Sequence, residues 1–282
     1  MKIAFNRFIR WGLFALYLTV LFTLPVTILG SYLGLGLGLT FSSLALFLLL
    51  FRGEEKVFKK LNLTHLSLAE APEVHHLIKE LSRRLNIPPP KIAKLKTESL
   101  NIGVFGLSRK KSVVILTEGL LKTMSRPQLS ALLGRELTAI WYGDTFLSSW
   151  FSRFLAVIEQ ISLSHLLAKS SKGKRFYSLQ WVLSQIIFLP IALIPQYLLL
   201  GIRRSTNLDL ESLKLTQLPK DLAESYRLLE VSAPRNALRT PWSLSPLFLL
   251  PPTTLDPISK LIFSEPYNSK PLASLNKLRQ YT

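Results

Sequence analysis

The feature that most constrains the fold of this chain is an uncharged apolar run near the N-terminus. Residues 11–51 contain no Asp, Glu, Lys or Arg. One crossing of a bilayer by a helix needs about 20 apolar residues, so this run is long enough for two crossings. A cleaved signal peptide would be followed by a hydrophilic mature start, whereas here a second apolar segment follows at once. We therefore predict an uncleaved transmembrane hairpin over residues 1–52.

Basic residues flank this hairpin on both sides. They are Lys2, Arg7 and Arg10 before it and Arg52, Lys56, Lys59 and Lys60 after it. Such flanks stay on the cytoplasmic side of the plasma or inner membrane. We therefore attribute most of the formal net charge of +18 to membrane topology and to attraction to anionic lipid head groups. No nucleic-acid-binding motif accompanies the charge, so we expect the lipid bilayer and no nucleic acid as partner.

The segment after the hairpin, residues 53–144, is predicted to be a compact cytoplasmic domain of mixed structure. Apolar residues at helical spacing predict a helix over 73–85, and alternating apolar residues predict strands at 92–95 and 112–116. Ser125 with Gln128 forms a capping box, which predicts a helix from there to about residue 142.

Residues 145–202 are predicted to form a membrane-associated helical hairpin. Residues 176–202 carry no charge and predict a span, whereas 145–168 contain Arg153, Glu159 and His165, each charge costing about 2.5 to 3.5 kcal/mol at mid-bilayer. If both segments crossed, the basic link between them would lie outside, against the positive-inside tendency. We leave open whether 145–168 crosses the bilayer.

Residues 203–282 are predicted to be a cytoplasmic part with two helices that divide at Pro219, a proline-rich stretch and a short last helix. The predicted fold class is thus mainly α, of the α+β type, in which membrane helices accompany a cytoplasmic domain with a small β-sheet.

Four stretches of the chain carry a recognisable pattern: Ile87-Pro88 with Pro90-Lys91, Asn101 with Gly106, residues 114–121, and residues 135–144. In their order and spacing they resemble the HtpX-like integral-membrane zinc metalloproteases, which are related to the CAAX prenyl proteases. The last piece corresponds to the HExxH motif and the following Gly-Asp pair of that family. Residues four apart share one helical face, so two histidines can hold a zinc ion while the glutamate polarises its water. The resemblance implies a zincin-like cytoplasmic domain.

The resemblance also implies that the zinc ligands are replaced in this chain. The ligand positions of the motif are Arg135 and Ala139, and Ser205 stands where the family has its third ligand, a glutamate. Glu136 is a remnant of the family's general base, and without a metal it has no adequate nucleophile to activate. Asp144 and Asp209 align with acidic residues that support the family's ligands, and the family's His-Pro pair near the C-terminus is Glu265-Pro266. We therefore predict no metal and no other cofactor.

Other residues offer no obvious replacement site. There is no Cys, and the four histidines are His65, His75, His76 and His165, whose default interpretation is structural. We hypothesise instead that the guanidinium of Arg135 occupies the vacated cation position and pairs with Glu136 or Asp209.

Three functions remain open on the sequence alone. The favoured one is a catalytically inactive homologue that binds or scaffolds a membrane protein or peptide in quality control or assembly, with Asn101, Gly103 and Phe105 lining a peptide groove along an exposed strand edge. The second is an active metalloendopeptidase with non-standard ligands. The third is a purely structural subunit of a membrane complex, whose groove is filled by its own side chains.

Overall fold

The computed structural model of the protein describes residues 54–161, 202–233, 236, 238 and 240–250, together with 9, 12–21, 23, 28, 36–40, 43 and 44. The helices among them are α1 (Glu54–Leu61), α2 (Pro72–Arg84), α3 (Glu118–Thr123), α4 (Arg126–Tyr142), α5 (Asp144–Ile161), α6 (Ile202–Thr216) and α7 (Pro219–Ser232). A short 3-10 helix follows at Trp242–Leu247.

A four-stranded mixed sheet forms the centre of the described structure. Its strands are β1 (Thr64–His65), β2 (Lys91–Leu95), β3 (Ile102–Ser108) and β4 (Lys111–Thr117). The order across the sheet is β1-β2-β4-β3, in which β2 and β4 run parallel and the outer pairs are antiparallel. The predicted fold class is confirmed in its coarse form, as a mainly helical protein with a small mixed sheet.

Both faces of this sheet are covered. Helices α2, α4 and α7 form one hydrophobic core with one face of the sheet, which includes Ile92, Val104 and Val114. The other face, which includes Phe105 and Ile115, packs on the segment that contains the 3-10 helix and on the end of α1. Burial on both faces explains why β4 is almost uninterruptedly apolar instead of alternating with polar residues.

The helices and strands predicted between residues 73 and 142 and around Pro219 are confirmed, with small shifts at their ends. The helix predicted over 73–85 is α2, in which Pro72 occupies the first helical position. Residues 92–95 and 112–116 lie in β2 and β4, and the two helices predicted around Pro219 are α6 and α7.

Helix α5 packs against β3 and the 3-10 helix, and thus against the domain that precedes it in the chain. Its aromatic residues Trp150 and Phe154 also meet Phe14 of the N-terminal helical residues edge to face, at centroid distances of 6.1 and 5.8 Å. Such aromatic pairs stabilise packing beyond their buried area.

In the part of the chain that the structure describes, no helix is both long enough and apolar enough to cross a membrane. Most of the predicted hairpin over 1–52, the predicted span 176–202, residues 162–168 and the predicted last helix lie outside the described residues.

Candidate functional site

Helix α4 carries the residues that correspond to the family motif, and its ends are fixed by local sequence. The backbone amide of Ser125 donates to Oε1 of Gln128 at 3.0 Å, which is half of the predicted capping box. At the other end Gly143 adopts a left-handed conformation with φ of 75°, which glycine tolerates without a steric penalty. Between these ends Arg135, Glu136 and Ala139 all lie in one buried stretch of helix.

Arg135 forms ion pairs with two acidic residues from different helices. Its Nη1 lies 2.6 Å from Oε1 of Glu136, and its Nε lies 3.5 Å from Oδ1 of Asp209 on α6. The Arg135 side chain is 12% exposed and both carboxylates are 2% exposed. The predicted pairing of Arg135 with Glu136 or Asp209 is therefore confirmed, and it involves both residues at once.

Tyr226 of α7 completes this cluster. Its hydroxyl donates to Oδ1 of Asp209 at 2.7 Å, so that one carboxylate oxygen faces both the phenol and the guanidinium. We call Arg135, Glu136, Asp209 and Tyr226 the Arg135 cluster. Three helices therefore meet at a fully paired set of polar groups, as a buried charge requires.

Burial and neighbouring opposite charges act in opposite directions on the pKa values of Arg135 and Glu136, whereas burial and Asp209 act in the same direction on that of Tyr226. Burial favours the uncharged form of Arg135, but the neighbouring Glu136, Tyr226 and Asp209 outweigh it and raise the pKa of Arg135 well above its ordinary value. Burial raises the pKa of Glu136, against the attraction of Arg135. Burial and the carboxylate of Asp209 raise the pKa of Tyr226 well above its ordinary value. Arg135 is therefore a permanent cation held by neighbouring oxygen atoms.

The other two predicted ligand positions offer no better fit to zinc. Ala139 is buried one helical turn beyond Arg135 and ends in a methyl group. Ser205 lies in α6 one turn before Asp209, and its side chain is outside the described residues. Zinc needs nitrogen, sulfur or carboxylate oxygen lone pairs, which neither a guanidinium nor a methyl group supplies. Within the described residues, no three His, Asp or Glu side chains are grouped so that they could hold a metal.

Strand β3 is the outermost strand of the sheet, and a later part of the same chain covers its outer edge. The amide of Leu249 donates to the carbonyl oxygen of Ile102 at 2.8 Å, and Gly103 forms an antiparallel bridge with Phe248. The Asn101 side chain donates to the Leu250 carbonyl at 2.8 Å and accepts from the Leu250 amide at 3.3 Å. We call residues 247–250 the edge segment.

The expected peptide groove along this edge has to be corrected accordingly. At Gly103 an added Cβ would lie 2.6 Å from the Leu247 carbonyl oxygen, so the edge segment occupies the space next to the strand. Phe105 is buried in the sheet face opposite α4, where it contacts Phe58 at 5.7 Å between ring centroids. In this structure neither residue is open to an extended peptide.

Other predicted residues take ordinary structural places. Asp144 is the first residue of α5 and is half-buried. The His75 ring nitrogen Nε2 lies 3.0 Å from the Leu66 carbonyl oxygen, a contact typical of a structural histidine. His165 and the Glu265-Pro266 pair lie outside the described residues.

Two parts of the site could not be recognised from the sequence. Tyr226 belongs to no motif, because its role depends only on how α7 packs on α4. The edge segment is a short apolar run, LFLL, before two prolines. Such a run is compatible with an added strand, but nothing local indicates which strand it joins.

These features define a class of protein. Helix α4, with the buried Glu136, lies beneath a mixed sheet and beside its edge strand. Asp209 of the much later helix α6 faces that glutamate. This is the arrangement of a metallopeptidase-like fold. The comparison with protein families agrees, since the profile of Peptidase family M48 matches residues 68–278. The chain therefore belongs to Peptidase family M48.

Individual relatives point the same way. The chain is 24% identical over 281 residues to the protease HtpX homolog of Nostoc sp., which covers 98% of this chain and 97% of the relative. It is 26% identical over 217 residues to the protease HtpX homolog of Acaryochloris marina, over 75% and 73% of the two chains. A shorter match, 31% over 93 residues, links it to the protease HtpX homolog of Thermococcus kodakarensis, over 33% and 32%. It is thus an HtpX-like member of the family.

Proposed function

We propose that this protein is a catalytically inactive M48 homologue of the membrane, which acts as a scaffolding or structural component in membrane-protein quality control or assembly. The observation that supports this proposal most directly is the double ion pair of Arg135 with Glu136 and Asp209. By the resemblance, Arg135 stands at a ligand position of the family's metal, and its guanidinium supplies a positive charge there. Glu136 is engaged in that pair and is not available to activate water.

The covered edge of β3 favours a structural role over peptide binding. An extended peptide adds to a sheet through backbone hydrogen bonds at a free edge. Here the amide of Leu249 already uses the Ile102 carbonyl, and the Asn101 side chain already bonds Leu250. The edge segment lies along β3 where an extended peptide would add, which supports the structural-subunit alternative.

The first test is the metal content and activity of the untagged, detergent-purified full chain. We expect less than about one tenth of an equivalent of zinc and no chelator-sensitive cleavage of an unfolded protein such as casein. The matched variant Arg135→His with Ala139→His and Ser205→Glu restores three ligand types at the implied positions, and we expect it to take up zinc.

One result would overturn the proposal. It is stoichiometric zinc in the wild-type protein together with proteolysis that a chelator stops and Glu136→Gln abolishes. In that case the chain would be an active metalloendopeptidase with non-standard ligands.

A further inference from the structure

A cavity lies at the far end of the sheet from the edge segment, beside the junction of α4 and α5. Its volume is about 760 Å³, and its apolar lining includes Leu107, Ile140 and Phe146. Cavities of a few hundred to about 1,000 Å³ are the size of small-molecule sites in proteins. This cavity is separate from the Arg135 cluster, none of whose members lines it.

A bulge in β3 shapes one wall of the cavity. The pairing of β3 with β4 shifts register between Gly106 and Ser108. The Gly106 amide leaves the ladder and donates to the hydroxyl of Ser149 on α5 at 2.9 Å. Bulges redirect side chains and are frequent next to functional sites. Here the bulge ends regular pairing where the cavity begins.

The cavity also carries positive charge. Arg109 and Lys110 form the turn between β3 and β4, are exposed, and line the cavity. No acidic residue is among the described residues that line it. Asp144 at the start of α5 partly offsets the positive end of that helix. The side chains of Arg109 and Lys110 therefore supply most of the attraction for an anion.

One buried polar group in the wall lacks a partner. Thr145 lines the cavity and is only 3% exposed, and its hydroxyl has no hydrogen-bond partner among the described residues. A buried hydroxyl without a partner costs about 1 to 3 kcal/mol, so a ligand that supplies a polar group at Thr145 would recover that energy.

We propose that this cavity binds an anionic phospholipid, with its phosphate at Arg109 and Lys110, a polar headgroup or ester atom at Thr145, and the first part of an acyl chain against Leu107, Ile140 and Phe146. A free phosphate would use the cations but leave most of the volume and all of the apolar wall without a partner. A neutral lipid would use the wall but not the charge. The choice of a lipid as the source of the phosphate rests on the proposed membrane location.

The test is native mass spectrometry of the delipidated full chain in neutral detergent. Dioleoyl phosphatidic acid, dioleoyl phosphatidylcholine and inorganic phosphate are titrated in separate experiments. We expect the first molecule of phosphatidic acid bound per protein to bind about tenfold or more tightly than the first molecule of phosphatidylcholine. We expect no inorganic phosphate to be retained.

Three variants locate the binding. Arg109→Gln with Lys110→Gln should weaken phosphatidic acid binding about tenfold or more. Its matched control, Lys96→Gln with Arg126→Gln, removes the same charge from exposed positions elsewhere and should have little effect. Thr145→Val keeps the shape of the side chain and should weaken binding about threefold or more, without lowering the melting temperature of the lipid-free protein.

Several outcomes would refute the proposal. Equal weakening by both double variants would show only general attraction between a basic protein and an acidic lipid. Equal binding of phosphatidylcholine would remove the role of charge, and retention of inorganic phosphate alone would define a small anion site. None of these outcomes depends on zinc content or proteolysis, so failure here is distinguishable from failure of the proposed inactive role.

Discussion

Replacing Arg135 with Met should destabilise the protein strongly, because it leaves buried carboxylates without their cation. The short contact is the one to Glu136, at 2.6 Å, whereas the 3.5 Å contact to Asp209 is at the outer limit of a hydrogen bond. Removing one partner of a buried ion pair costs about 3 to 5 kcal/mol. For domains of 150 to 250 residues, 1 kcal/mol shifts the melting temperature by about 2 to 4 °C. We therefore expect Arg135→Met to lower it by about 6 to 20 °C at pH 7.

The assay is thermal unfolding in neutral detergent, followed by tryptophan fluorescence. The control is Arg83→Met, which makes the same substitution at an exposed position on α2. Adding Glu136→Gln to Arg135→Met removes the closer of the two uncompensated charges and should recover at least half of the loss. Asp209 would keep the hydroxyl of Tyr226 as a donor.

The loss should also depend on pH, in a direction that follows from the buried carboxylates. Burial already raises the pKa of Glu136, and without Arg135 nothing opposes that effect. The folded variant then binds a proton more tightly than the unfolded chain, whose glutamate pKa is about 4.3. The stability of Arg135→Met should therefore fall as pH rises above about 4.3, and its deficit should be smaller at pH 5 than at pH 7. A melting temperature within about 1 °C of wild type at both pH values would refute the charge argument.

Two further substitutions test the packing around the site. Gly103→Ala should cost about 1 to 3 kcal/mol by overpacking against the Leu247 carbonyl and should speed hydrogen exchange of the Leu249 amide. Its control, Gly12→Ala, has open space at the Cβ position in a helix, so it should not lower the stability and should leave the exchange of the Leu249 amide unchanged. Tyr226→Phe should cost about 1 to 3 kcal/mol by removing a donor to Asp209. Its effect should be non-additive with Arg135→Met, since both residues contact the same oxygen atom, and simple additivity in calorimetry would contradict the shared cluster.

The helices and strands between residues 72 and 142 were predictable because the sequence signals for them are local. Helix α2 follows from apolar spacing and a proline at its first position, and α4 follows from Ser125, Gln128 and Gly143. Spacing also placed Arg135 and Ala139 on one helical face, and charge alone suggested a carboxylate partner for Arg135. These inferences need only neighbours within a few residues.

The missed features depend on contacts between distant parts of the chain. Tyr226 reaches Asp209 only because α6 and α7 both pack on α4. The covering of β3 depends on Leu249 and Leu250, and Asn101 and Leu250 are 149 positions apart in the chain. The periodicity of apolar residues cannot locate such distant partners. The edge of β3 was therefore predicted to be exposed, whereas in the structure it is paired. Nothing in the sequence marked Thr145 as a candidate site residue, since the lack of a partner for its hydroxyl depends on the cavity around it.

The distance between β3 and the edge segment has a consequence for how the protein is made. Strand β3 can pair with β4 as soon as the hairpin between them leaves the ribosome, but its outer edge has no partner until residues 247–250 have also been synthesised. Closing such a long loop is entropically unfavourable and therefore late. During that interval an apolar strand edge is available to other nascent chains, a recognised route to aggregation. We therefore expect this protein to be most prone to aggregation before residues 247–250 have been synthesised.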